Sequence, residues 1–97
     1  MRTGAGRRRC VLEGGRLLSM DDVYDALTDQ LRLGPEFGRN LDALWDVLTT
    51  EVAGPLDIVW RDSRVSRARL GEQFPRLLWL FRAVADQRGD VTIAVEE

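Results

Sequence analysis

The 97-residue chain has no histidine and a single cysteine, Cys10, and its 14 cations are all arginine. Without histidine it can build neither a Ser-His-Asp triad nor a Cys-His pair, and one cysteine does not make an ordinary zinc site. A lone cysteine also excludes an internal disulfide, and no apolar signal region of about 7–15 residues follows the N-terminal arginines, so the cytoplasm is the expected compartment. No apolar run approaches the roughly 18 residues of a membrane span. The missing lysine reads as composition bias of the genome. What remains, 44% hydrophobic and 31% charged, suits one globular domain over residues 9–97 behind a flexible, Arg- and Gly-rich tail over residues 1–8.

The net charge of −2 conceals an uneven distribution. Residues 1–18 hold five arginines against Glu13, and residues 61–97 are close to balanced. Residues 19–60 hold nine acids against Arg32 and Arg39, a net of −7. A one-signed middle segment steers oppositely charged molecules and repels phosphates, which makes a basic protein, rather than nucleic acid, the expected partner. The same acids are equally compatible with a solvated helix face and its caps.

Hydrophobic spacing divides the chain. Residues 9–12 read as a short strand closed by Gly14-Gly15. Ser19 and Asp22 have capping-box spacing and start an amphipathic helix carrying Val23, Ala26, Leu27 and Leu31, which stops near Gly34-Pro35. Asn40 caps a second helix running to about Thr49 with Leu41, Leu44 and Leu48 as its buried stripe. Leu56 to Trp60 is a nearly continuous apolar run broken by Asp57, as in a strand covered on both faces. Residues 62–70 alternate arginine with small residues and predict a weak helix at best. Phe74, Leu77, Leu78, Phe81, Val84 and Ala85 trace a longer helix with Pro75 in its first turn, and Val91, Ile93 and Val95 mark a last strand. Strands separated by helical segments predict a small parallel sheet of the α/β class with helices packed against it.

On the second helix Asp42, Trp45, Asp46 and Thr49 stand at i, i+3, i+4 and i+7 and share a face away from the leucine stripe. Paired carboxylates invite a glycosidase reading, but two acids one turn apart on one helix do not bracket a bond from opposite sides. A repulsive pair beside an aromatic suggests a binding surface; ordinary helix surface charge is the other reading. Trp60 and Trp79 are expected in the core or at its edge, Cys10 as a small buried hydrophobe, and Arg64, Arg67 and Arg69 on a solvated helix face.

The run Pro35-Glu36-Phe37-Gly38-Arg39-Asn40-Leu41-Asp42-Ala43-Leu44-Trp45-Asp46, with Leu48-Thr49, resembles the central motif of the barstar family of ribonuclease inhibitors, and the likeness extends from about Arg9 to Val95. The resemblance implies a barstar-like, three-layer-type small α/β fold with a three-stranded parallel sheet. It implies no catalysis, no cofactor and no metal, but a 1:1 complex with a basic, extracellular-type ribonuclease whose active site the second helix plugs. In that reading Asp46 enters the phosphate-binding site, Asp42 pairs with an active-site arginine, and Trp45, Asn40, Gly38, Phe37, Glu36 and Thr49 lie on the binding edge, so that carboxylates stand in for RNA phosphates. Glu36 and Ala83 stand where the family pattern has a tyrosine and a glutamate, which implies a secreted barnase-like or guanyl-specific ribonuclease other than barnase itself as the target. The alternatives are immunity to another nuclease toxin, or a nucleic-acid-associated regulator that uses the arginine-rich tail.

Overall fold

The computed structural model describes residues 7–97. Along the chain come β1 (Arg8–Glu13), a 3-10 turn (Gly14–Arg16), α1 (Met20–Leu31), α2 (Leu41–Thr50), β2 (Leu56–Arg61), α3 (Ser63–Leu70), α4 (Gln73–Arg88) and β3 (Val91–Val95). The strands form one sheet in the order β1-β2-β3, parallel throughout, so two helices cross over between each strand and the next. This is the α/β architecture expected from the alternation of strands and helices. Residues 1–6 of the stretch read as a tail lie outside the described residues. Arg7 pairs with Asp57 at 2.8 Å, and Arg8 already belongs to β1, opposite Leu56.

Side chains alternate across the sheet with period two. Cys10, Leu12, Leu56, Ile58, Trp60 and Val91 point inward and join Leu27, Leu44, Leu48, Phe74, Leu77 and Phe81 in one continuous core. The apolar run in β2 predicted cover on both faces, and here the structure differs. Val59 is buried but stands outside that core cluster, with Val11 and Ala94 beside it in register. Around it the outward face is polar: Asp57 accepts from Thr92 Oγ1 at 2.6 Å as well as from Arg7, and Arg61 lies between Glu13 at 3.5 Å and Glu96 at 3.7 Å. The Thr92 hydroxyl, and after it Arg7, hold the Asp57 carboxyl below the usual carboxylate range. Apolar residues in the middle of β2 therefore reflect its central place in the sheet as well as the helical layer.

The outer edge of β1 is engaged at Val11 by a side chain. Gln30 of α1 accepts from the Val11 N–H and donates to the Val11 carbonyl, both at 2.8 Å, reproducing the pair of bonds that another strand would make. Helix α1 starts on Ser19, whose Oγ accepts from Asp22 N at 3.4 Å, while the Asp22 carboxylate accepts from Leu18 N at 2.8 Å, one residue earlier than in the standard box. It ends at Leu31, before the expected Gly34-Pro35 stop, because Arg32 adopts a left-handed conformation (φ 56°).

Residues 63–70 form a full helix, where a weak one at best is expected over residues 62–70, and the reason is tertiary. Ser63 and Ser66 are buried, Trp60 Nε1 donates to Ser66 Oγ at 2.8 Å, and Leu70 reaches the core. Ser63 N also donates to the Glu96 carbonyl at 2.9 Å, tying the helix start to the end of β3. The small residues permit this close approach, and Gly14 takes part in it: a Cβ there would run into the Asp62 and Arg61 carbonyls. Arg64, Arg67 and Arg69 point outward as expected. At the far end of the molecule Arg88 donates to the Leu48 and Val52 carbonyls at 2.9 and 2.7 Å and pairs with Asp90 at 2.8 Å, so one guanidinium joins the exits of α2 and α4 to the start of β3. Hydrogen bonding to Arg88 lowers the Asp90 pKa. No helix among the described residues is long and apolar enough to cross a membrane.

Candidate functional site

The approach to α2 is held from three sides. Asn40 caps the helix, its Oδ1 accepting from Ala43 N at 2.7 Å, and its Nδ2 donates back to the Gly38 carbonyl at 3.3 Å. Phe37 packs edge-on against Tyr24 of α1, with ring centroids 5.8 Å apart. Arg39 occupies the left-handed region (φ 53°), a conformation that costs a non-glycine residue energy. Its guanidinium bonds to Asp25 at 3.0 Å and to the Asp21 carbonyl at 3.2 Å, and lies 5.8 Å from the Tyr24 ring centroid. The hydrogen bond to Asp25 raises the Arg39 pKa, and burial raises that of Tyr24. The loop is thus moored to α1 before α2 begins.

On α2 the predicted face resolves into parts. Asp42 and Asp46 are exposed one turn apart, and among the described residues neither carboxylate has an ion-pair or hydrogen-bond partner. Trp45 between them is half-buried and packs on the core. Thr49 turns its hydroxyl back to the Trp45 carbonyl at 2.7 Å, so it belongs to the helix more than to the surface. Leu41, read as part of the buried stripe, is half-buried at the helix start, whereas Val47 joins Leu44 and Leu48 inside.

The two acids face different hollows. Asp46 lines a recess of about 200 Å³ between α2 and its preceding loop, together with Glu36, Phe37, Gly38, Ala43 and Glu51. Glu36, Asp46 and Glu51 put three carboxylates around this recess, and the Glu36 side chain lies back over Gly34, where a Cβ would meet it. Asp42 lines an open groove of about 460 Å³ between α2 and α4, with Leu41, Trp45, Arg76, Trp79 and Leu80. Trp79 corrects the expectation of core packing: it is 70% exposed. The stripe that α4 buries contains Phe74, Leu77, Phe81 and Val84, and Trp79 is out of phase with it.

Glu51, Arg39 and Trp79 were not among the site residues drawn from sequence. Glu51 lies beyond the helix, and the mooring by Arg39 depends on acids of α1 that are distant in the chain. No group of three or more His, Cys, Asp or Glu side chains that could hold a metal ion occurs among the described residues. The chemistry on offer is the presentation of unpaired carboxylates, beside apolar surface, from a braced helix.

Two comparisons bear on this arrangement. A Bacillus subtilis (strain 168) protein named "Putative ribonuclease inhibitor YrdF" is 31% identical over 83 residues, which span 86% of this chain and 91% of that protein. Residues 7–96, nearly all that the structure describes, match the family described as barstar (barnase inhibitor). The chain belongs to the barstar family.

Proposed function

We propose that this protein inhibits a basic, extracellular-type ribonuclease by one-to-one occlusion of its active site, and protects the cell that makes the enzyme. The observation that carries this reading is the pair Asp42 and Asp46, exposed and without a partner among the described residues, on a helix whose start is fixed by Asn40, Phe37 and Arg39. Like charges one turn apart repel weakly in the free protein, and a cationic cleft relieves that repulsion. The cations that a ribonuclease aims at RNA phosphates meet these carboxylates in the same way, with no reaction on the inhibitor's side. The recess bounded by Glu36, Asp46 and Glu51 takes one long cationic side chain of the enzyme. Glu36 favours a nuclease with a basic rim, since a carboxylate pressed against apolar surface is costly.

The test is an inhibition titration against a panel of basic secreted ribonucleases that includes barnase. Activity should fall to zero at one equivalent for at least one enzyme. Asp46→Ala should weaken inhibition by at least ~2 kcal/mol, the usual hot-spot threshold, while leaving the unfolding midpoint in place. Direct RNA binding by the protein without inhibition of any enzyme would instead favour the regulator that uses the arginine-rich tail.

A further inference from the structure

Trp79 is the feature that the acidic face leaves unexplained. It stands two residues from both Leu77 and Phe81, hence roughly 200° around α4 from each, so its indole has no place in the core. It walls the groove between α2 and α4 whose remaining apolar surface includes Leu41, Trp45 and Leu80, with Asp42 on the α2 side and Arg76 on the α4 side. On its other flank is a second hollow, shared with Ala83 and Ile93, so the indole rises as a ridge between two depressions.

We infer that the α2–α4 groove is the apolar half of the nuclease-binding surface, and that Trp79 sets partner choice by packing against an uncharged, flat side chain on the rim of the enzyme's cleft. Resting on the ribonuclease-inhibitor reading, this names the part of the partner that the groove takes. Continuity is the first ground: Asp42 and Trp45 belong to both the acidic face and the groove, so an enzyme seated on Asp42 also covers the groove mouth. Charge is the second: inside the groove the acid and the arginine on facing helices offset one another, so the groove itself favours neither sign and an uncharged occupant fits it, while the cations of the cleft meet Asp42 from the acidic face. An exposed indole beside a partly buried one supplies large, stiff apolar area of the kind that dominates interface energetics.

The experiment follows the three indole N–H signals of the isotope-labelled protein as unlabelled barnase, or the panel enzyme inhibited best, is added. The Trp79 signal, assigned with Trp79→Phe, should shift, while that of Trp60, bonded to Ser66 in the core, should not. Trp79→Ala should weaken inhibition about tenfold or more, equally at low and high salt, with an unchanged unfolding midpoint, and Trp79→Phe should recover part of the loss. Inhibition untouched by Trp79→Ala, whatever the indole signal does, overturns the inference; if Asp46→Ala still weakens binding, the acidic-face reading survives it. A Trp79 signal that moves with the protein's own concentration in the absence of enzyme assigns the groove to a second copy and also overturns it. If the wild type inhibits no enzyme of the panel, both readings fall together.

Discussion

At the scale of single residues, Cys10 shows how strictly this core excludes charge. It is fully buried in β1, and burial pushes its thiol up to about 12 against a smaller opposing pull from Arg8. The unfolded thiol ionises near pH 9, so its contribution to stability is intact below that pH and is lost as pH rises toward 12. Urea midpoints at pH 7 and pH 10.5 should reveal a loss of about 2 kcal/mol from this group, absent in Cys10→Ala. Tyr24 shifts in the same direction, which is why the comparison with the alanine variant is needed. In native protein at pH 8 a thiol reagent should label Cys10 no faster than the chain unfolds; rapid labelling would contradict its placement. Cys10 and Trp60 were legible in the sequence because each sits in a short apolar strand. Trp79 was misread for the opposite reason: its leucine and phenylalanine neighbours suggested a core position, although it is out of phase with the very stripe that the spacing of Phe74, Leu77, Phe81 and Val84 defines.

Among the elements, α2 was readable from local signals alone, since a capping asparagine and a leucine stripe are encoded within a dozen residues. Helix α3 was not, because its arginines and serines carry weak local preference and its stability comes from Trp60 and Glu96 elsewhere in the chain and from the docking of its own Leu70 on the core. The loop before α2 was legible in type but not in its bracing, which depends on Asp21 and Asp25. That bracing makes a prediction. Arg39→Ala keeps the unfavourable left-handed backbone and loses the guanidinium, whereas Arg39→Gly loses the guanidinium but relieves the backbone. The glycine variant should therefore have the higher unfolding midpoint of the two. Both should inhibit roughly tenfold less well, because a loosened loop must be ordered again on binding. If either variant inhibits like wild type, the mooring does not position α2.

For the molecule as a whole, the structure sorts the acids that sequence could only count. Asp21 and Asp25 are occupied by Arg39 and Asp57 by Arg7, whereas Glu36, Asp42, Asp46 and Glu51 have no ion-pair partner among the described residues and are spread along α2 and its preceding loop, Asp42 at the groove and the other three around the recess. Association with the ribonuclease should slow markedly as salt rises, with dissociation less affected, because the field acts on encounter. Stopped-flow rates should also show Glu51→Gln slowing association more than Asp21→Asn; a rate flat in salt, or the reverse order, would contradict this distribution. The grip of Gln30 on Val11 has a different kind of consequence. Growth of a sheet from copy to copy needs two open edges on every molecule, one to receive and one to be received. With β1 clasped at Val11, β3 is the open edge among the described strands, and pairing through that edge alone joins two copies and stops.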